Sequence, residues 1–278
     1  MLATASYLAL ITALAKASGI GYLLFPELGA LGSVVFTDPR GSWARSPLLL
    51  AITPFLTALP GVLITRSLPY GPLALGITSW QYPLAILAGT GGLALLVILR
   101  PRIARGLRLT PAASAAGLGQ ARTSAAPSLR TWLPPLAIFM AGGLVLVEVL
   151  GSHLVLYPPL MVIAYEMLAQ PQHCPWQGRG LAVLVVTGGA ALAGWLLVQT
   201  LEVVPLATLL AVLATALLLH LTRLKCPPAY GLALLPFVIP TPPQTYALLT
   251  LAGTAWLLLV VELHRARERR RGGQEGNS

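Results

Sequence analysis

The stretch Phe25-Pro26-Glu27-Leu28-Gly29-Ala30-Leu31-Gly32-Ser33-Val34-Val35-Phe36 has an altered second copy, Tyr157-Pro158-Pro159-Leu160 running on through Met161 to Leu168. In each copy a proline interrupts an apolar run, and Pro26 and Pro158 lie 132 residues apart. Further along, Tyr82–Thr90 (YPLAILAGT) matches Tyr246–Thr254 (YALLTLAGT), and both continue into apolar stretches that end at Arg100 and His264. These later landmarks are 164 apart, so the offset has grown by 32 residues. About 20 apolar residues cross a bilayer, so the growth predicts that the first copy lacks one helix and its loop. Duplicated units with broken helices are an architecture found in membrane transporters.

Composition leads to the same class. Hydrophobic residues make up 56% of the chain and charged residues only 9%, with a mean hydropathy of +0.79. A soluble domain carries about a quarter charged residues, so the expectation is an integral membrane protein. The N-terminal MLATASYLALITALA has no basic residue ahead of its apolar run, which suits a first membrane helix better than a signal peptide. The net charge of +10 is concentrated outside the apolar runs. Six of the 18 basic residues are Arg100, Arg102, Arg105, Arg108, Arg122 and Arg130, and five more are Arg265, Arg267, Arg269, Arg270 and Arg271. Basic segments flanking membrane helices stay cytoplasmic and attract anionic lipid headgroups. The charge therefore reads as a topology signal, and no nucleic-acid partner is expected.

The chain divides into residues 1–100, a first membrane unit of about three spans with one helix missing; 101–130, a basic flexible linker; 131–264, a second unit of about four spans; and 265–278, a basic disordered tail. The expected fold is an all-α membrane protein with about seven transmembrane helices, in two related units with Pro-broken half-helices. The spans lie at about 2–24, 47–68, 80–99, 132–150, 180–201, 205–224 and 245–263. The helix missing from the first unit corresponds to 205–224 and the Cys-Pro-Pro segment behind it. Four spans between linker and tail put both basic segments on one side, which the positive-inside rule makes cytoplasmic in a cell membrane. The partners that follow are the bilayer and anionic lipid headgroups at linker and tail, and a homo-oligomer is compatible with the sequence.

A break inside a bilayer leaves backbone groups that must line a cavity or find protein partners. Pro26 and Pro158 each open a half-helix, whose first N–H groups and dipole suit an anion. In the first copy Gly29 and Ala30 allow close backbone approach, and Ser33 adds a hydroxyl. The competing reading is a kink with small residues for helix packing. Glu27 sits at the break, where it either caps the helix or carries a proton. The second candidate is Cys226-Pro227-Pro228-Ala229-Tyr230-Gly231, where two prolines force a break before a short apolar helix and Tyr230 offers a hydroxyl; an ordinary surface loop is the alternative. The candidate substrate-binding set is thus Pro26, Glu27, Gly29, Ala30, Ser33, Cys226, Pro227, Pro228, Tyr230 and Gly231. No catalytic residues, metal ligands or cofactors are expected. The two cysteines, Cys174 and Cys226, lack C-x-x-C spacing, and no catalytic triad, HExxH, P-loop or GxGxxG occurs. Gly188-Gly189 lies inside an apolar span and reads as a helix-packing surface.

Pro26 with Gly29-Ala30 and Ser33-Val34-Val35-Phe36, the Gly-rich span from Gly178 to Leu197, and Cys226-Pro227-Pro228-Ala229 with Gly231 together resemble the HPP family of integral membrane proteins, named for a His-Pro-Pro motif. The resemblance covers both units but neither linker nor tail. Cys226 stands where the family has histidine, and the first unit has no copy of that motif. A plant chloroplast member of the family is a nitrite transporter, so the resemblance implies a small inorganic anion as substrate; a transporter and not an enzyme is the expectation. Two other classes stay open: a degenerate or structural membrane protein without transport, and a membrane-embedded lipid enzyme.

Overall fold

The computed structural model describes residues 2–20, 23–25, 27–37, 47–67, 128–172, 174–239 and 241–275. The first Tyr-Pro-Leu copy at 82–90, the span at 80–99 and nearly all of the linker lie outside the described residues. Nine helices are described: α1 Leu2–Ser18, α2 Glu27–Thr37, α3 Pro47–Ser67, α4 Leu129–Leu150, α5 Pro158–Ala169, α6 Gly180–Thr200, α7 Val204–Thr222, α8 Pro228–Leu234 and α9 Tyr246–Glu275. Short 3-10 turns at His153–Val155 and Leu235–Phe237 join α4 to α5 and extend α8. No strand occurs among the described residues. Segments within α4, α6, α7 and α9 are long and apolar enough to cross a membrane: Arg130–Leu150, Gly180–Thr200, Val204–Thr222 and Tyr246–Arg270.

The outward faces of these helices are apolar, as lipid requires. Leu181 is 78% exposed, Val149 73% and Leu221 69%, whereas a water-soluble bundle would place polar residues there. Buried polar positions are mostly threonines whose hydroxyls bond back to their own helix: Thr187 to the Val183 carbonyl, Thr208 to Val204 and Thr215 to Ala211. This local bond satisfies a hydroxyl in apolar surroundings without a partner helix.

The helix ends recur at the spacing seen in the sequence. α1 stops at Ser18 and α4 at Leu150, followed by left-handed Gly19 (φ 71°) and Gly151 (φ 61°). Only glycine adopts this backbone without strain, so both breaks begin with the same device. The first apolar run, expected to continue to Leu24, is cut short by Gly19. Its 17 residues reach about 26 Å at 1.5 Å per residue. α2 and α5 end at Thr37 and Ala169, again one repeat apart.

The tail departs from expectation. Residues from Arg265 were read as disordered, yet α9 continues to Glu275. Polar side-chain contacts one turn apart support it, with Arg265 bonded to Glu262 at 2.8 Å and His264 3.4 Å from Glu268. α4 likewise begins at Leu129, two residues inside the stretch read as linker.

The centre of the bundle is α8. All seven of its residues are buried, and it packs against α2, α5, α6 and α7. Small residues let it in: a Cβ at Gly194 of α6 would collide with the Ala233 carbonyl oxygen. Gly188 and Gly189 face Leu251 of α9 and Leu218 of α7, the packing role their sequence suggests. Gly194→Ala should destabilise the protein by about 1–3 kcal/mol, because the obstacle is backbone. Gly180→Ala, whose added Cβ meets only the flexible Leu258 side chain at 3.4 Å, should be near neutral. Thermal unfolding of both variants in detergent checks the contrast.

Candidate functional site

The short helices from the two halves of the chain meet. α2 lies on α8, and the Gly29 position is so close that a Cβ there would sit 2.6 Å from Leu234 Cδ1 and 3.1 Å from Tyr230 Cβ. Gly29, Tyr230 and, through the helix they open, Cys226, Pro227 and Pro228 therefore form one contact region. α5 packs on α8 as well, so the two Pro-broken half-helices flank the Cys-Pro-Pro helix.

The other candidates fall at varying distances from this junction. Ser33 is buried, and its hydroxyl donates to the Ala30 carbonyl at 2.8 Å. Ala30 is half-buried, as is Pro227, while Pro228 and Gly231 are buried. Cys226 is 1% exposed and Tyr230 likewise. Pro26 lies outside the described residues. Glu27 opens α2 and keeps one carboxylate oxygen, Oε2, buried without a hydrogen-bond partner among the described residues.

The half-helix starts differ from the expectation of free donors. At α8, Pro227 and Pro228 carry no N–H; Ala229 donates to Cys226 O and Tyr230 to Pro227 O, both at 3.1 Å. At α5, Pro158 and Pro159 likewise lack donors, and Leu160 donates to Tyr157 O at 3.0 Å. Leu28 of α2 donates to Phe25 O at 3.0 Å. Proline at the first turns removes the N–H groups that an anion would use, and tight turns consume the next ones. The dipole remains as an attraction.

Sequence reasoning passed over the aromatic residue ahead of each break. Phe25 is 1% exposed and Tyr157 2%, so each plugs the bundle where its helix is interrupted. Tyr157 Oη lies 3.0 Å from Thr254 Oγ1 and 3.3 Å from the Thr250 carbonyl of α9. Tyr246, at the start of α9, donates to the Leu232 carbonyl at 2.7 Å. This closes one of the last-turn carbonyls of α8, which a short helix inside a membrane cannot leave open. The signal was available, because aromatic-Pro recurs at the repeat offset, but the prolines drew the reading. At the other end, Arg179 donates to the carbonyls of Arg223 and Thr222 at 2.9 and 2.6 Å. It thereby fixes the end of α7, from which the chain turns towards Cys226.

Both cysteines are free and buried. Burial pushes the thiol of Cys174, in the loop between α5 and α6, up to about 11. Among the described residues no group of three His, Cys, Asp or Glu could hold a metal ion. Compared with known protein families, curated proteins and solved structures, the chain matches none.

Two measurements test this geometry. Tyr246→Phe removes the donor to Leu232 and should cost about 1–2 kcal/mol in unfolding free energy. In a Cys226→Ala background, alkylation of Cys174 should be slow at neutral pH and accelerate about tenfold per pH unit up to about pH 10. The thiolate is the reactive form, and its fraction grows tenfold per unit below the raised pKa.

Proposed function

We propose that the chain is a multi-pass membrane transporter or channel for a small inorganic anion such as nitrite, built from two related units of about seven spans in all. The observation that carries this reading is the meeting of α2 and α8, with Gly29 against Tyr230 and Leu234 and α5 on the same short helix. Discontinuous helices that converge at a repeat interface are where transporters of several architectures bind substrate. The two-unit reading is supported by Gly19 and Gly151, left-handed helix stops that share the repeat offset of the prolines. The substrate site of the proposal is Pro26, Glu27, Gly29, Ala30, Ser33, Cys226, Pro227, Pro228, Tyr230 and Gly231. Glu27, with a buried oxygen that has no hydrogen-bond partner among the described residues, supplies a proton-binding group beside an anion path.

The resemblance to the HPP family is part of this proposal and supplies the nitrite-like substrate. Sidedness has its own support. Arg130 at the start of α4 and Arg267 in α9 line one cavity, Arg265 lies near Gly178, two residues ahead of α6, and Arg179 bonds the end of α7. These basic residues share a face, and the positive-inside rule assigns it to the cytoplasm of a cell membrane.

A second reading rests on the packing of α8. Its residues are buried throughout and its first donors are taken, which is what a structural membrane protein without a substrate path would also show. Uptake by the purified chain in liposomes separates the two. Nitrite, and more weakly nitrate, should enter above the rate of empty vesicles, and Gly29→Val and Pro227→Ala should each reduce entry at least fivefold while membrane insertion persists. Uptake indistinguishable from empty vesicles across several anions would favour the structural reading. Full activity in both variants would move the path away from α2 and α8.

A further inference from the structure

The geometry points to a phospholipid site between the first turns of α4 and the middle of α9, taking a lipid with an anionic phosphate headgroup. It goes beyond the transport reading and does not depend on it. A cavity of about 340 Å³ lies there, within the size range of small-molecule sites. One end is apolar, with Ile138, Trp256 and Val260 in its wall; the other carries Arg130, Arg267 and His264. Such a change from apolar to cationic along one cavity, at the end of two membrane-crossing helices, matches an acyl chain continued by a phosphate.

The wall is fixed. The Trp256 indole N–H donates to the Phe139 carbonyl at 2.9 Å, and Gly142 packs directly under its ring. The cationic end is unspent: neither Arg130 nor Arg267 makes an ion pair among the described residues. Glu268, also on the lining, is engaged by His264 at 3.4 Å. Two free guanidiniums facing one cavity suit a phosphate diester, which takes paired N–H donors. Pro134 and Pro135 lie inside α4 and cannot donate to the carbonyls of Arg130 and Thr131 four residues earlier. All four residues line the cavity.

The test uses the full chain, delipidated in neutral detergent, with native mass spectrometry and titration as readouts. Dioleoyl phosphatidylglycerol should bind at one per chain, at least tenfold tighter than dioleoyl phosphatidylcholine, and glycerol 1-phosphate should not bind measurably. Arg130→Gln with Arg267→Gln should weaken phosphatidylglycerol at least tenfold, whereas Arg269→Gln with Arg270→Gln, an equal charge loss on the tail, should change it less than threefold. Ile138→Trp fills the apolar end, leaves the charges alone and should also weaken binding at least tenfold, so the site stays testable if the arginine variant is unstable. Equal losses in the two arginine pairs would overturn the proposal in favour of diffuse attraction to a basic surface. Binding of glycerol 1-phosphate as tight as the lipid would overturn it in favour of a free-phosphate site, and an unaffected Ile138→Trp would remove the acyl chain from the cavity.

Discussion

A seven-residue helix buried on every side sets the terms for the rest of this bundle. Inside a bilayer each backbone N–H and C=O needs a protein partner, and a short helix exposes such groups at both ends. α8 meets this by two routes. At its start, prolines eliminate two donors and tight turns bond the next two to Cys226 and Pro227. At its end the Leu232 carbonyl takes the Tyr246 hydroxyl, and the 3-10 turn Leu235–Phe237 carries the chain onward with Val238 donating to Leu235. The neighbours conform to α8: Gly194 of α6 and Gly29 of α2 are small because its backbone and side chains pass where a Cβ would stand.

The same requirement explains why breaks were legible in the sequence and their satisfaction was not. Gly151, Pro158 and Pro227 act through their own covalent structure, so sequence alone exposes them; Gly19, set in an apolar run expected to continue to Leu24, shows itself only in its φ of 71°. The long apolar spans of α6 and α7 were legible for the same reason, since length and hydropathy are local properties. By contrast, the bond from Tyr246 to Leu232 spans 14 residues and that from Tyr157 to Thr254 spans 97. No periodicity reports such a pairing. The helical tail was missed because composition was weighed without register: Glu262, Arg265, His264 and Glu268 stabilise a helix only at the spacing they have.

Anion attraction and backbone satisfaction pull against each other at α8. Free N–H groups draw an anion, but at membrane depth they are costly whenever the site is empty. Consuming them at Ala229 and Tyr230 favours the empty bundle and leaves the weaker dipole term, worth about 0.3–1 kcal/mol in exposed settings and more when partly buried. An anion passing this junction would then depend on side chains and on movement. Gly29 is where movement would act, because a small separation of α2 from Tyr230 and Leu234 opens a close contact between the halves.

Cys226 sharpens this point. In the resemblance to the HPP family it takes the place of a histidine, and it is 1% exposed. An imidazole brings two polar nitrogens, and burying them without partners is unfavourable by several kcal/mol in the worst case. A thiol behaves as a small hydrophobe, while the backbone carbonyl of Cys226 holds Ala229 in place. Cysteine at this position therefore keeps the turn that launches α8 without placing an imidazole there. If protons move with the substrate in this chain, carboxyl groups are at hand on both sides, Glu166 on α5 and Glu27 on α2, the two half-helices packed on α8. Glu27, with one buried oxygen lacking a partner among the described residues, stands at the start of the helix that faces it.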